Sequence, residues 1–131
     1  MKLQIRSFLP GALAFIGATI LFCLPGDKFP DDELFNLLKV DKLIHIGLFA
    51  MLVILWSLPV IHRVGDLVRV RNIFTVVTLI FVAYGILIEF IQGNFVRNRT
   101  MGVDDMIADA LGCVIGLILA KKVLKATKSP F

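Results

Sequence analysis

Four long apolar runs dominate the pattern of hydrophobic and polar positions. Phe8 to Leu24 holds no charged residue in 17 positions, and Leu43 to Ile61 none in 19 apart from His45. Asn72 to Ile88 holds none in 17 and ends at Glu89. Gly102 to Ala120 is 19 residues long but includes Asp104, Asp105 and Asp109. A membrane span needs ~20 mainly apolar residues, with a working range of about 17–25. The first three runs fit, and the fourth fits with its Asp-rich start at the interface. A soluble bundle would show polar stripes at helical period, whereas these runs are apolar all round. The pattern therefore predicts an all-α integral membrane four-helix bundle. It is a single domain over residues 1–131, with spans at about 8–25, 42–61, 72–92 and 103–121.

The connections carry their own signals. Pro25-Gly26 is expected to stop the first helix. After Pro30, the acids Asp31, Asp32 and Glu33 precede Leu34, Phe35, Leu37 and Leu38 at roughly helical spacing. That arrangement predicts a short helix in the first outer loop, lying on the membrane surface with its apolar side down. His62 to Asn72 reads as a short basic loop, with Pro59 and Gly65 ending the second span. Ala108, Gly112, Gly116 and Ala120 recur every four residues, a small-residue stripe along which another helix can approach closely.

Composition agrees with a membrane chain: 58% of residues are hydrophobic and 11 are Phe, and the mean hydropathy is +0.89. The net charge of +4 acquires meaning once it is placed by side. The N-terminal tail, middle loop and C-terminal tail hold nine basic residues: Lys2, Arg6, Arg63, Arg69, Arg71, Lys121, Lys122, Lys125 and Lys128. The other two loops hold five, Lys28, Lys39, Lys42, Arg97 and Arg99. The positive-inside rule then puts both termini in the cytoplasm. Anionic membrane lipid accounts for the basic patches, and no nucleic acid is needed. No A-x-A-like cleavage site follows the first apolar run, so it reads as a span and not as a removed leader. Cys23 and Cys113 have no metal-ligand spacing and read as two buried, unbonded thiols.

With that topology the unusual polar residues converge on the outer face. Asp41, Lys42 and His45 open the second helix, Glu89 and Gln92 close the third, and Arg99 lies in the outer loop. Asp104, Asp105 and Asp109 open the fourth. Asp41 and His45, four apart, share a face with Phe49 below them; Glu89 and Gln92 share another. An ionised carboxylate at mid-span costs ~2.5–3.5 kcal/mol, less near the interface, so Glu89 and Asp109 need partners or a wet cavity. Lys42 and Arg99 are the expected partners. Asp41 and Asp104 also read as helix caps, and Lys42 as an interfacial lysine. Capping explains neither Glu89 nor Asp109. Together, Asp41, Lys42, His45, Glu89, Gln92, Arg99, Asp105 and Asp109 are read as one pocket, and Ala108, Gly112 and Gly116 as helix packing.

These residues resemble the VanZ-like family of small polytopic bacterial membrane proteins, named for a teicoplanin-resistance protein. The resemblance runs from Pro25 to Gly116. It rests on Pro25-Gly26, DKLIH with Phe49, YGILIEFIQ (Tyr84 to Gln92), Arg99 and DMIADALGCVIG (Asp105 to Gly116). It departs from the family pattern at Asp109, where Asn is common; here there is an extra negative charge, or a protonated acid in place of an amide. The resemblance implies the bacterial cytoplasmic membrane and, in some members, reduced susceptibility to lipoglycopeptide antibiotics. It supplies no reaction.

Two functions stay open. One is a binding protein of the cell envelope whose outer pocket takes a lipid-linked wall precursor or an amphiphilic drug, with Lys42 and Arg99 holding its anionic group and Glu89 and Asp109 pairing with them or bonding the ligand. The other is a hydrolase or transferase for a lipid-linked substrate, with His45 and Glu89 as acid and base. A divalent cation on His45, Glu89, Asp105 and Asp109 would be a variant of the second, but no compact metal motif supports it, and neither cofactor nor metal is expected. A proton-coupled transporter is a weaker third, since inverted repeats are not evident.

Overall fold

Pro10 lies in the first turn of the first helix, where its missing N–H leaves no bond unmade. That helix, α1, runs Leu9–Phe22 and is preceded by one 3₁₀ turn, Ile5–Phe8. The remaining helices are α2 (Glu33–Leu37), α3 (Val40–Ile61), α4 (Leu67–Phe95) and α5 (Val103–Lys128). The computed structural model describes residues 4–29, 32–37 and 39–129, and of Phe35 the backbone only. No strand occurs among the described residues.

Several boundaries differ from the sequence expectation. α1 ends at Phe22, before Pro25-Gly26, and Pro25 instead caps a 3₁₀ turn, Gly26–Lys28. Gly26 is required for another reason. Its N–H donates to the Arg97 carbonyl at 3.0 Å, and a Cβ there would strike the Asn98 carbonyl. α3 continues through Pro59 to Ile61, so the proline sits in its last turn. α4 starts at Leu67 because Asp66 caps it, accepting from the Val68 N–H at 3.0 Å. Arg69 and Arg71 are thus helical, and the middle connection shrinks to His62–Asp66. The short α2 has Leu34 and Leu37 exposed; Pro30, Asp31 and Leu38 of that motif lie outside the described residues. Cys23 is exposed, against expectation, because it follows the last turn of α1; Cys113 is buried, and neither is bonded.

Three helical stretches are long and apolar enough to cross a membrane: Ile5–Phe22, Val40–Ile61 and Leu67–Phe95. α5 is long enough, with 26 residues, but acids open it and Lys125 and Lys128 close it. Leu13, Ile16, Ile20, Leu79, Ile80, Ile86 and Leu87 are all more than half exposed. Continuous apolar surface on this scale suits lipid and not water. The chain is a membrane protein.

The tightest packing is α3 against α5, along the stripe predicted from sequence. Ala108, Gly112, Gly116 and Ala120 are all buried. A Cβ on Gly112 would collide with the Ile46 carbonyl, and one on Gly116 would lie 2.7 Å from the Ala50 carbonyl. Lipid offers no hydrophobic drive for helix association, so this backbone proximity supplies the dispersion contacts that hold the pair. Phe22, Phe49, Leu52, Val53, Phe81, Ile88 and Cys113 form one core. Val60, Ile61, Val70, Phe74, Ala120 and Leu124 form a second toward the other end. Phe22 packs against His45, which places the C-terminal end of α1 beside the N-terminal end of α3. Contacts of Asp105 with Lys42 and of Glu89 with Gly102 bring the start of α5 and the end of α4 to that same end.

Candidate functional site

All eight predicted pocket residues lie at this end of the bundle, seven of them in two tiers. The upper tier is ionic and partly exposed. Lys42, in the first turn of α3, reaches α5, pairing with Asp104 and donating to Asp105 Oδ1 at 2.9 Å. Arg99, in the α4–α5 connection, lies 3.7 Å from Asp41 Oδ1 and spreads its guanidinium 4.3 Å above the Phe29 ring. Asp41 is not the helix cap: that position is Lys39, in a left-handed conformation with no side-chain cap bond. Gly102 likewise holds the cap position of α5, so Asp104 is free to pair with Lys42. Neither acid holds the cap position, although Asp104 Oδ1 accepts the Asp105 N–H at 3.2 Å, and both acids pair across the molecule.

The lower tier is sealed. His45 and Asp109 are each 1% exposed and Glu89 is 0%. His45 Nδ1 lies 2.7 Å from Asp109 Oδ1 and 3.7 Å from Glu89 Oε1. The Phe22 ring covers the imidazole, with centroids 4.7 Å apart. Glu89 Oε2 accepts the Gly102 N–H at 3.1 Å, which ties α4 to the start of α5. Two carboxylate oxygens, Glu89 Oε1 and Asp109 Oδ2, are buried without a hydrogen-bond partner. Neither Lys42 nor Arg99 pairs with Glu89 or Asp109; both are engaged by acids of the upper tier.

Gln92 belongs to this end but points elsewhere. Its Nε2 donates to the Phe22 carbonyl at 2.9 Å, satisfying an orphan acceptor at the C-terminal end of α1. Its position is that of a helix anchor.

Three contributors escaped the sequence reading. Gly85 makes room for Asp109: a Cβ there would stand 2.8 Å from the Asp109 Cβ. Its one signal was a glycine inside an apolar helix, four residues before Glu89. The Gly102 backbone N–H and the Phe22 ring left no signal, since neither is a polar side chain. Below the tiers, Thr19 and Tyr84 share a 2.6 Å hydroxyl contact between α1 and α4. A cleft of about 590 Å³ lies at the opposite end, lined by Arg71, Lys121, Lys122, Lys125 and Lys128 with Leu67 and Ile118.

Chemically, the arrangement is a buried imidazole between two acids, roofed by partly exposed ion pairs. No curated protein and no solved structure matches the chain. A family model described as VanZ/LLP1 matches residues 11–125, nearly the whole chain, and covers every residue of both tiers; the chain belongs to the VanZ/LLP1 family.

Proposed function

We propose that this protein is a multi-pass protein of the bacterial cytoplasmic membrane that binds the polar headgroup of a lipid-linked or amphiphilic envelope ligand. Four spans put both termini in the cytoplasm and the two-tiered end outside, and α2 lies on the outer surface. The observation that carries the binding reading is the upper tier. Lys42 and Arg99 are held by carboxylates across helices, and their side chains keep 29% and 14% exposure. A ligand that supplies its own acceptors can take them over while its tail lies along the exposed apolar helix faces.

Charge narrows the ligand. Nine of the ten acids, all but Asp66, fall on the proposed outer side with only five basic residues. A bare phosphate is opposed by that field. A headgroup rich in hydroxyl or amide groups, which accept from Lys42 and Arg99 without a full negative charge, fits better and is compatible with a sugar-bearing lipid or a glycopeptide such as teicoplanin. A role in teicoplanin susceptibility follows from this reading.

The test is binding of teicoplanin to the purified protein in detergent, alongside the susceptibility of cells expressing it. Lys42→Ala and Arg99→Ala should each weaken binding by about tenfold or more, as expected for loss of a charged hydrogen bond. Unchanged affinity in both variants sinks the proposal. The 2.7 Å contact between His45 and Asp109 favours a second reading, an imidazole oriented by an acid as in general base catalysis. The Phe22 ring and the 1% exposure of His45 oppose it by closing the imidazole to substrate. His45→Gln separates the two: the enzyme reading requires loss of phenotype with binding retained.

A further inference from the structure

We infer that His45, Glu89 and Asp109 form a site for one divalent transition-metal ion beneath the headgroup site. Each offers one donor atom, and the three donors lie within 4.8 Å of one another from three different helices. Zinc bound at ~2.0–2.1 Å by nitrogen and ~2.0–2.2 Å by oxygen sets tetrahedral ligands about 3.3 Å apart. The 2.7 and 3.7 Å separations from His45 Nδ1 bracket that value.

Two independent features point to a cation. First, Glu89 Oε1 and Asp109 Oδ2 are buried lone-pair sites without a donor, and Glu89 Oε1 faces the imidazole. A buried acceptor left unmade is costly, and such a group calls for an explanation. Second, no fixed cation among the described residues reaches the two sealed acids. Two sealed carboxylates face one imidazole, while Lys42 and Arg99 are committed to Asp104, Asp105 and Asp41. An ion of charge +2 would serve both carboxylates without drawing either cation inward.

A rival donor set, Asp41, His45 and Asp105, shares the imidazole. It is the poorer choice, because Lys42 at 2.9 Å from Asp105 and Arg99 at 3.7 Å from Asp41 already neutralise its acids. One imidazole nitrogen with two carboxylates suits zinc or manganese; calcium asks for six to eight oxygens, and a copper(I) site for thiolates. On binding, His45 Nδ1 presents its lone pair to the ion, the ring proton resides on Nε2, and any proton shared with Asp109 passes to solvent. The site does not depend on the headgroup reading, since its donors lie below Lys42 and Arg99.

The test uses the full chain, purified in detergent, stripped of metal and titrated with Zn²⁺ and separately with Mn²⁺. One ion per chain should bind by elemental analysis. Glu89→Gln and Asp109→Asn should each weaken uptake by at least about tenfold. Cys23→Ser and His62→Gln remove the exposed thiol and exposed imidazole, and should leave it unchanged. The wild-type melting temperature should rise with metal and fall with chelator. The last measurement needs no variant, so a site substitution that prevents folding still leaves a decision. The inference is overturned if the wild type takes up no ion and melts alike with metal and chelator. It is overturned equally if uptake follows Cys23 or His62.

Discussion

Asp109 can hold His45 at 2.7 Å only because Gly85, on the facing turn of α4, has no side chain. A methyl group there would meet the Asp109 Cβ at 2.8 Å, and Asp109 Oδ2 at 3.1 Å, in a space closed on all sides. Gly85→Ala should therefore lower stability by about 1–3 kcal/mol, the usual range for overpacking. Reversible unfolding in mixed micelles measures it, and the double variant with Asp109→Ala should recover much of the loss. Equal stability of Gly85→Ala and wild type would remove the steric argument. The sequence showed the acids and the imidazole readily, since charged residues inside apolar runs stand out. It did not show who pairs with whom. Lys42 and Arg99, the expected partners of Glu89 and Asp109, pair instead with Asp104, Asp105 and Asp41, and Glu89 and Asp109 turn to His45 and to a backbone N–H.

For the helices, the small-residue stripe is the controlling feature. It was legible as a four-residue step, and its partner, α3, was not. Gly112 and Gly116 lie against the backbone carbonyls of Ile46 and Ala50, which have no rotamer by which to move aside. Gly112→Val should force α3 and α5 apart and cost about 3 kcal/mol, the upper end of overpacking. Gly17 has nothing within 4 Å, so Gly17→Ala should stay within about 0.5 kcal/mol of wild type. Thermal denaturation in detergent compares the two, and a Gly112→Val protein as stable as Gly17→Ala would contradict the packing. Both tiers ride on α3 and α5, so Gly112→Val should weaken ligand binding as well.

Across the molecule, charge is strongly polarised. The proposed inner side holds nine basic residues and Asp66, and the outer side nine acids and five basic residues. If the two-tiered end faces outward, a membrane-impermeant thiol reagent should label Thr100→Cys in intact cells, in a Cys23→Ser background. It should reach Gly65→Cys only after lysis. Thr100 is exposed and Gly65 has open space around it, so neither substitution disturbs packing. Labelling of Gly65→Cys from outside would invert the topology and turn the headgroup site toward the cytoplasm.

Hydropathy and period are properties of chain neighbours, which is why the apolar runs, the helical class and the polar residues at their ends could be read from the sequence. Helix ends were read less well, because the end of α1 and the start of α4 depend on local hydrogen bonds that hydropathy does not register. The four-residue step from Asp105 places Asp109 about one turn deeper, but the pairings that divide the polar cluster into an ionic roof and a sealed triad could not be read. They join residues 63 positions apart, Lys42 with Asp105, and 64 apart, His45 with Asp109. Such pairings are set by how closely α3 and α5 approach and by the room that Gly85 leaves. The residue types were present in the chain from the start; the partners of each, and hence its chemistry, came from the crossing of the helices.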